Sequence, residues 1–204
     1  MKNRTIELHI EPWVMVAAVI ATALVAGYLL WSTRPLGQAT SERPGKVWVV
    51  KMVTKVYDDR VENVFEPDRL VIAPGDTVRW EVENGMHNTV AFHPGDEHNA
   101  HHDDAESSDE RPLRIPPEAK PWESEHLRTP GEAYEYTFTV EGVYSYFCHP
   151  HLEDGMVGVI VVGSPKPGPG LEPPQAGLPE AVKAKLNELI AWVKTQTRKE
   201  TNNL

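Results

Sequence analysis

Hydrophobic and polar positions along the chain fall into three regimes. From Trp13 to Trp31 no residue carries a charge. A helix rising about 1.5 Å per residue over that run spans a hydrocarbon core of about 30 Å. Trp13 and Trp31 bracket it as interface-seeking aromatics do. A cleaved secretory signal is the competing reading, although its apolar core is ordinarily shorter. Either reading sends the remaining residues across a membrane. Orientation by charge is weak, because Lys2 and Arg4 face Arg34, Arg43 and Lys46 on the far side. Residues 1–12 form a polar N-terminal segment, 13–31 the expected transmembrane anchor, and 32–45 a linker containing Pro, Gly, Ser and Thr.

The second regime has a strand period. Val47–Tyr57 is β-branched and partly alternating, Phe65–Ile72 runs into a Pro74-Gly75-Asp76 turn, and Thr77–Glu83 alternates cleanly. Further runs follow at Thr89–Phe92, Tyr134–Val140, Val143–Phe147 and Val157–Val162. Short strands separated by turns, with no long helix among them, predict an all-β domain built as an antiparallel β-sandwich over 46–163. Between Phe92 and Tyr134 the pattern lapses, a length that calls for a functional or mobile segment.

The third regime follows a Pro/Gly-rich linker, 164–178, that cannot join a sheet ladder. Leu178, Val182, Leu186, Leu189, Ile190 and Val193 recur at helical spacing, with Pro179 suited to a first turn. This predicts an amphipathic helix over 179–197 and a tail over 198–204. Its apolar stripe has three candidate partners: its own sandwich, another protein, or a membrane surface.

A net charge of −10 argues against a nucleic-acid partner. The single cysteine, Cys148, excludes an internal disulfide and leaves a ligand, a reactive thiol or an inert core residue as its role. Its surroundings favour the ligand. His151 lies three residues on and Met156 five beyond that, which places a thiolate, an imidazole and a thioether in nine residues. With one distant histidine the set becomes His₂Cys plus a weak axial Met, the ligation of a blue-copper site. Zinc is the main competitor, but structural zinc sites usually collect four Cys or His ligands. His87, in Asn84-Gly85-Met86-His87-Asn88-Thr89-Val90, follows one strand-like run and precedes another, so a turn there aims it at the same pocket.

Cys148-x-Pro150-His151-x-x-x-Gly155-Met156, preceded by Gly142-Val143-Tyr144-x-Tyr146-Phe147, resembles the copper loop of the cupredoxins. The four residues between His151 and Met156 are similar to the gap in plastocyanins and halocyanins. The resemblance covers roughly residues 46 to 163. It implies a Greek-key sandwich holding one type 1 copper ion on His87, Cys148, His151 and Met156. It also implies a backbone N–H of Asn88 donating to the sulfur, and His151 as the electron port. Pro150 has no N–H to add as a second donor, and Gly155 permits a tight approach of the Met156 arm. Segment 112–122 is similar to a connection in halocyanin-like proteins, with Trp122 expected over the sandwich edge, and 95–110 reads as an acidic, His-rich insertion. His98, His101 and His102 in it, with Asp103 and Asp104, are candidate ligands for a weak second metal site, the competing reading being solvated surface.

Two functions follow from this sequence. The first is a membrane-anchored, extracytoplasmic one-electron carrier that exchanges electrons with donor and acceptor proteins. The second is copper storage or delivery, with the His-rich insertion acquiring the metal. An enzyme is disfavoured, since no second copy of the pattern is visible, and a binuclear centre would need two cysteines.

Overall fold

The computed structural model describes residues 44–94 and 111–201. The expected anchor at 13–31, its flanks up to residue 43 and the His-rich insertion 95–110 lie outside the described residues. Among the described residues no helix is long and apolar enough to cross a membrane.

Eight strands are formed among them: β1 (Val47–Val56), β2 (Val61–Glu66), β3 (Arg69–Ile72), β4 (Thr77–Val82), β5 (Val90–Ala91), β6 (Ala133–Thr137), β7 (Gly142–Phe147) and β8 (Val157–Val162). They make two four-stranded sheets, in the orders β2-β1-β4-β6 and β3-β8-β7-β5. The expectation of an antiparallel sandwich is corrected here, because both sheets are mixed. β1 runs parallel to β4, with Val47 opposite Thr77 and Met52 opposite Val82. β3 runs parallel to β8, with Leu70 opposite Ile160. Parallel neighbours need a crossover rather than a hairpin, and the chain supplies one by changing sheets. The run expected as one strand over Phe65–Ile72 is broken at Pro67 and Asp68, so β2 pairs in the first sheet and β3 in the second. β4 then returns to the first sheet beside β1.

Alternation places the core. In β4, Val78, Trp80 and Val82 are buried between the sheets, while Arg79 on the outer face bonds Glu135 at 2.8 Å. Trp122 stacks on Trp80 with ring centroids 5.5 Å apart, and its Nε1 donates to Thr89 Oγ1 at 3.1 Å. It is therefore a core residue rather than a cover for the sandwich edge, because the 111–122 connection turns inward.

β7 and β8 are buried at every position, which a sheet with one wet face cannot achieve. The cover is helix α1 (Glu180–Thr201), which extends past the expected end at 197. Val182, Leu186, Leu189 and Val193 pack with Phe92, Val143, Phe147, Val157, Val159 and Val161. Of the three candidate partners for the stripe, the chain's own sandwich is the one it meets. Arg69 and Lys185 bind Asp68 at 2.6 Å each, pinning the helix to the start of β3. Replacing Leu186, which is fully buried, by Ala is expected to cost about 2 kcal/mol in chemical denaturation. That is the low end for such a change, because a helix–sheet seam can partly close over the gap.

The linker before α1 is held by Arg114, which is fully buried. Its guanidinium donates to the carbonyls of Gly170 (3.3 Å) and Glu172 (3.0 Å) and to Gln175 Oε1 (3.2 Å). Burial lowers its pKa to about 10, so it stays protonated at neutral pH.

Candidate metal centre

Two segments meet at one end of the sandwich. The first leaves β4 through a turn in which Gly85 has φ +82°, a conformation that glycine adopts without strain. A Cβ at Gly85 would lie 2.3 Å from Thr54 Oγ1 and 2.9 Å from His87 Nε2, so the position admits no side chain. His87 is then fixed by two backbone bonds with Leu127, at 3.0 and 2.8 Å. The second segment leaves β7 at Cys148, forms a 3-10 turn over His149–His151 and re-enters the sheet at Val157. Cys148 N donates to Met156 O at 3.0 Å, and Met156 N donates to His151 O at 3.2 Å. These bonds close the loop on itself, and Met156 is buried within it.

Cys148 Sγ lies 3.7 Å from His87 Nδ1 and 3.4 Å from His151 Nδ1. The three candidate ligand atoms all fall within 4.8 Å of one another. His87 and Cys148 are fully buried, while His151 is half-buried at the rim. Asn88 N–H donates to the sulfur at 3.5 Å, and Asn88 Oδ1 accepts from His149 N at 2.7 Å, tying the two segments together. The N–H of His151 also favours the thiolate, a donor that sequence reasoning missed. Pro150 fills a turn position that needs no donor. Gly155 has φ +77°, and a Cβ there would lie 3.0 Å from the carbonyl of Ala181, so its smallness also admits the first turn of α1.

Electrostatics test whether a cation fits. Burial pushes the Cys148 thiol up to about 12. Burial and the neighbouring His151 push His87 down to about 4, and burial lowers His151 as well. Each group is held neutral, yet their lone pairs converge. Such a site suits a soft metal cation that displaces the thiol proton and compensates the buried thiolate left behind. The donor set of one sulfur and two imidazole nitrogens, with a thioether in the same loop, fits copper.

His149 is exposed and meets Phe147 edge-on, outside this cluster. His98, His101 and His102 lie outside the described residues, so the second site expected on them has no structural description. Thr54 Oγ1 lies 3.2 Å from His87 Nε2, a neighbour without any signal in the sequence.

The model of the plastocyanin/azurin family of copper-binding proteins matches residues 50–163. A plastocyanin of Scenedesmus fuscus is 39% identical over 111 residues, covering 54% of this chain and 98% of that one. The chloroplastic plastocyanin of Tetradesmus obliquus is 33% identical over 99 residues, which are 48% of this chain and 58% of that protein. Among solved structures, a Sinorhizobium pseudoazurin aligns with a TM-score of 0.51 at 29% identity, covering 72% of this chain and 96% of that one. The sandwich, the converging His, Cys and His side chains and a family match across both segments that carry them agree: this chain is a cupredoxin, a member of the plastocyanin/azurin family of copper-binding proteins.

Proposed function

We propose that the protein is a membrane-anchored one-electron carrier whose copper ion is held by His87, Cys148, His151 and Met156 on the extracytoplasmic side. The observation that carries this reading is the trio of converging side chains, two buried and one half-buried, on two hydrogen-bonded segments. Bound copper supplies a one-electron Cu(II)/Cu(I) couple. The chain's part is to keep the ligands still. Leu127 fixes the His87 backbone, the bonds between residues 148 and 156 fix the loop, and Asn88 joins the two. Full burial of His87 and Cys148 excludes water from the sulfur side, while the half-buried imidazole of His151 offers the short route to a donor or acceptor protein. The uncharged run 13–31 supports the anchor.

The test is redox cycling of the copper-loaded full chain against a strong Cu(I) chelator. Repeated reduction and reoxidation with the metal retained supports a carrier. Loss of the metal on the first reduction sinks it and favours storage or delivery. For the anchor, the chain should sediment with membranes, and deletion of residues 13–31 should release it. Replacing Asn88 by Ala removes the acceptor for His149 N and is expected to lower copper affinity about tenfold, read by chelator competition.

A further inference from the structure

We infer that Thr54, Asn63 and Asp154 form a directed hydrogen-bond chain that positions His87 and biases the centre towards Cu(II). This rests on the copper reading above and adds residues to it. His87 turns Nδ1 towards Cys148 Sγ at 3.7 Å, which leaves Nε2 to carry the ring proton. Nε2 lies 3.2 Å from Thr54 Oγ1. The Thr54 hydroxyl donates to Asn63 Oδ1 at 2.8 Å, and Asn63 Nδ2 donates to Asp154 Oδ2 at 3.1 Å. Every donor points the same way, from the imidazole to a carboxylate, so each bond polarises the next.

The route joins parts of the chain that no local motif connects. Thr54 sits on β1, Asn63 faces it on β2 in direct register, and Asp154 belongs to the loop between His151 and Met156. The hairpin therefore ties the His87 ring to the loop that bears the other candidate ligands. Thr54 is itself held, its N–H donating to Asn84 Oδ1 at 2.6 Å. Gly85 supplies the room, since any Cβ there would strike both Thr54 Oγ1 and His87 Nε2. The carbonyl of Asn84 also accepts from the ring, so Thr54 does not act alone. Thr54 is the member that passes the interaction on to a negative charge. An imidazole whose N–H is drawn towards a carboxylate is a stronger donor at its other nitrogen, and this favours the more highly charged metal.

The experiment compares Thr54→Val, Thr54→Ser and Asp154→Asn in the full chain. In the metal-free protein, nitrogen NMR of the His87 ring should show one tautomer, protonated at Nε2, with the proton shifted on Thr54→Val. In the copper-loaded protein, Thr54→Val should lose about tenfold in affinity for Cu(II) relative to Cu(I), the low end for such outer contacts because Asn84 still holds the ring. For one electron that is a rise in potential of about 59 mV. Thr54→Ser should restore the wild-type value, and Asp154→Asn, a surface change that leaves the fold alone, should move it in the same direction by less. An unchanged potential and ring spectrum in Thr54→Val overturns the proposal. So does an equal fall in melting temperature for Val and Ser with no change in potential. Failure of the copper reading itself would appear separately, as a wild-type protein without a thiolate–copper band.

Discussion

Replacing Cys148 by Ser is expected to abolish the intense visible absorption of the copper-loaded protein and to lower copper affinity by more than about 100-fold. The bound is set by outer contacts, whose loss alone costs about 10 to 100-fold at metal sites. A hydroxyl at this position is a hard donor with a far higher pKa than a thiol, so it cannot supply a buried anionic sulfur. The fold should survive. Serine is smaller than cysteine, and its oxygen can still accept the Asn88 N–H that now meets Sγ at 3.5 Å. His87 stays on Leu127, and the loop stays closed through Met156. Absorption and electron paramagnetic resonance on the same sample decide the matter. Loss of the band together with a change from narrow to ordinary copper hyperfine splitting places the metal on Cys148. A mutant with the wild-type spectrum would instead place it elsewhere and remove the carrier reading.

The candidate ligands were legible in the sequence largely because their chemistry is local. Cys148, His151 and Met156 share one loop and group by spacing alone. His87, 61 residues from Cys148, joins them through its place at a turn between two strand-like runs and through the cupredoxin resemblance. The strands of β4 and β8 were legible for a similar reason, since burial writes itself into residue type. Pairing direction was not, because alternation records which face is buried and carries no sign for the neighbour's direction. That is why the mixed sheets differ from the antiparallel expectation. The break at Pro67 and Asp68 hid in a run whose apolar residues continue on both sides. The helix was legible and its partner was half so. Val157, Val159, Ile160, Val161 and Val162 lack alternation, the mark of a strand covered on both faces, and α1 is the cover. Thr54 and Asn63 had no signal at all, being polar residues of ordinary type whose meeting depends on register, and Asp154 was legible only as an acid beside His151, not as their partner.

Copper affinity should rise about tenfold for each pH unit between pH 7 and 9, about 100-fold in all. In the metal-free folded protein the buried Cys148 thiol ionises only near 12, well above the ordinary value of 9.0. His87 is pushed down to about 4 and His151 lies below its ordinary value of 6.5. At pH 7 and above both imidazoles are therefore neutral and ready, while the sulfur still holds its proton. Binding as thiolate must displace that one proton, and a single displaced proton gives a slope of one in log affinity against pH. The sign follows directly, since raising the pH removes the competitor for the sulfur. Chelator competition at several pH values gives the slope, and calorimetry in two buffers of different ionisation enthalpy counts the proton. Cys148→Ser should flatten the profile over the same range, because neither remaining histidine titrates there. A flat profile in the wild type would mean that the sulfur is not a ligand, or that it is already a thiolate before copper arrives. The second outcome would require the N–H groups of Asn88 and His151 to outweigh burial, which their distances and number do not favour.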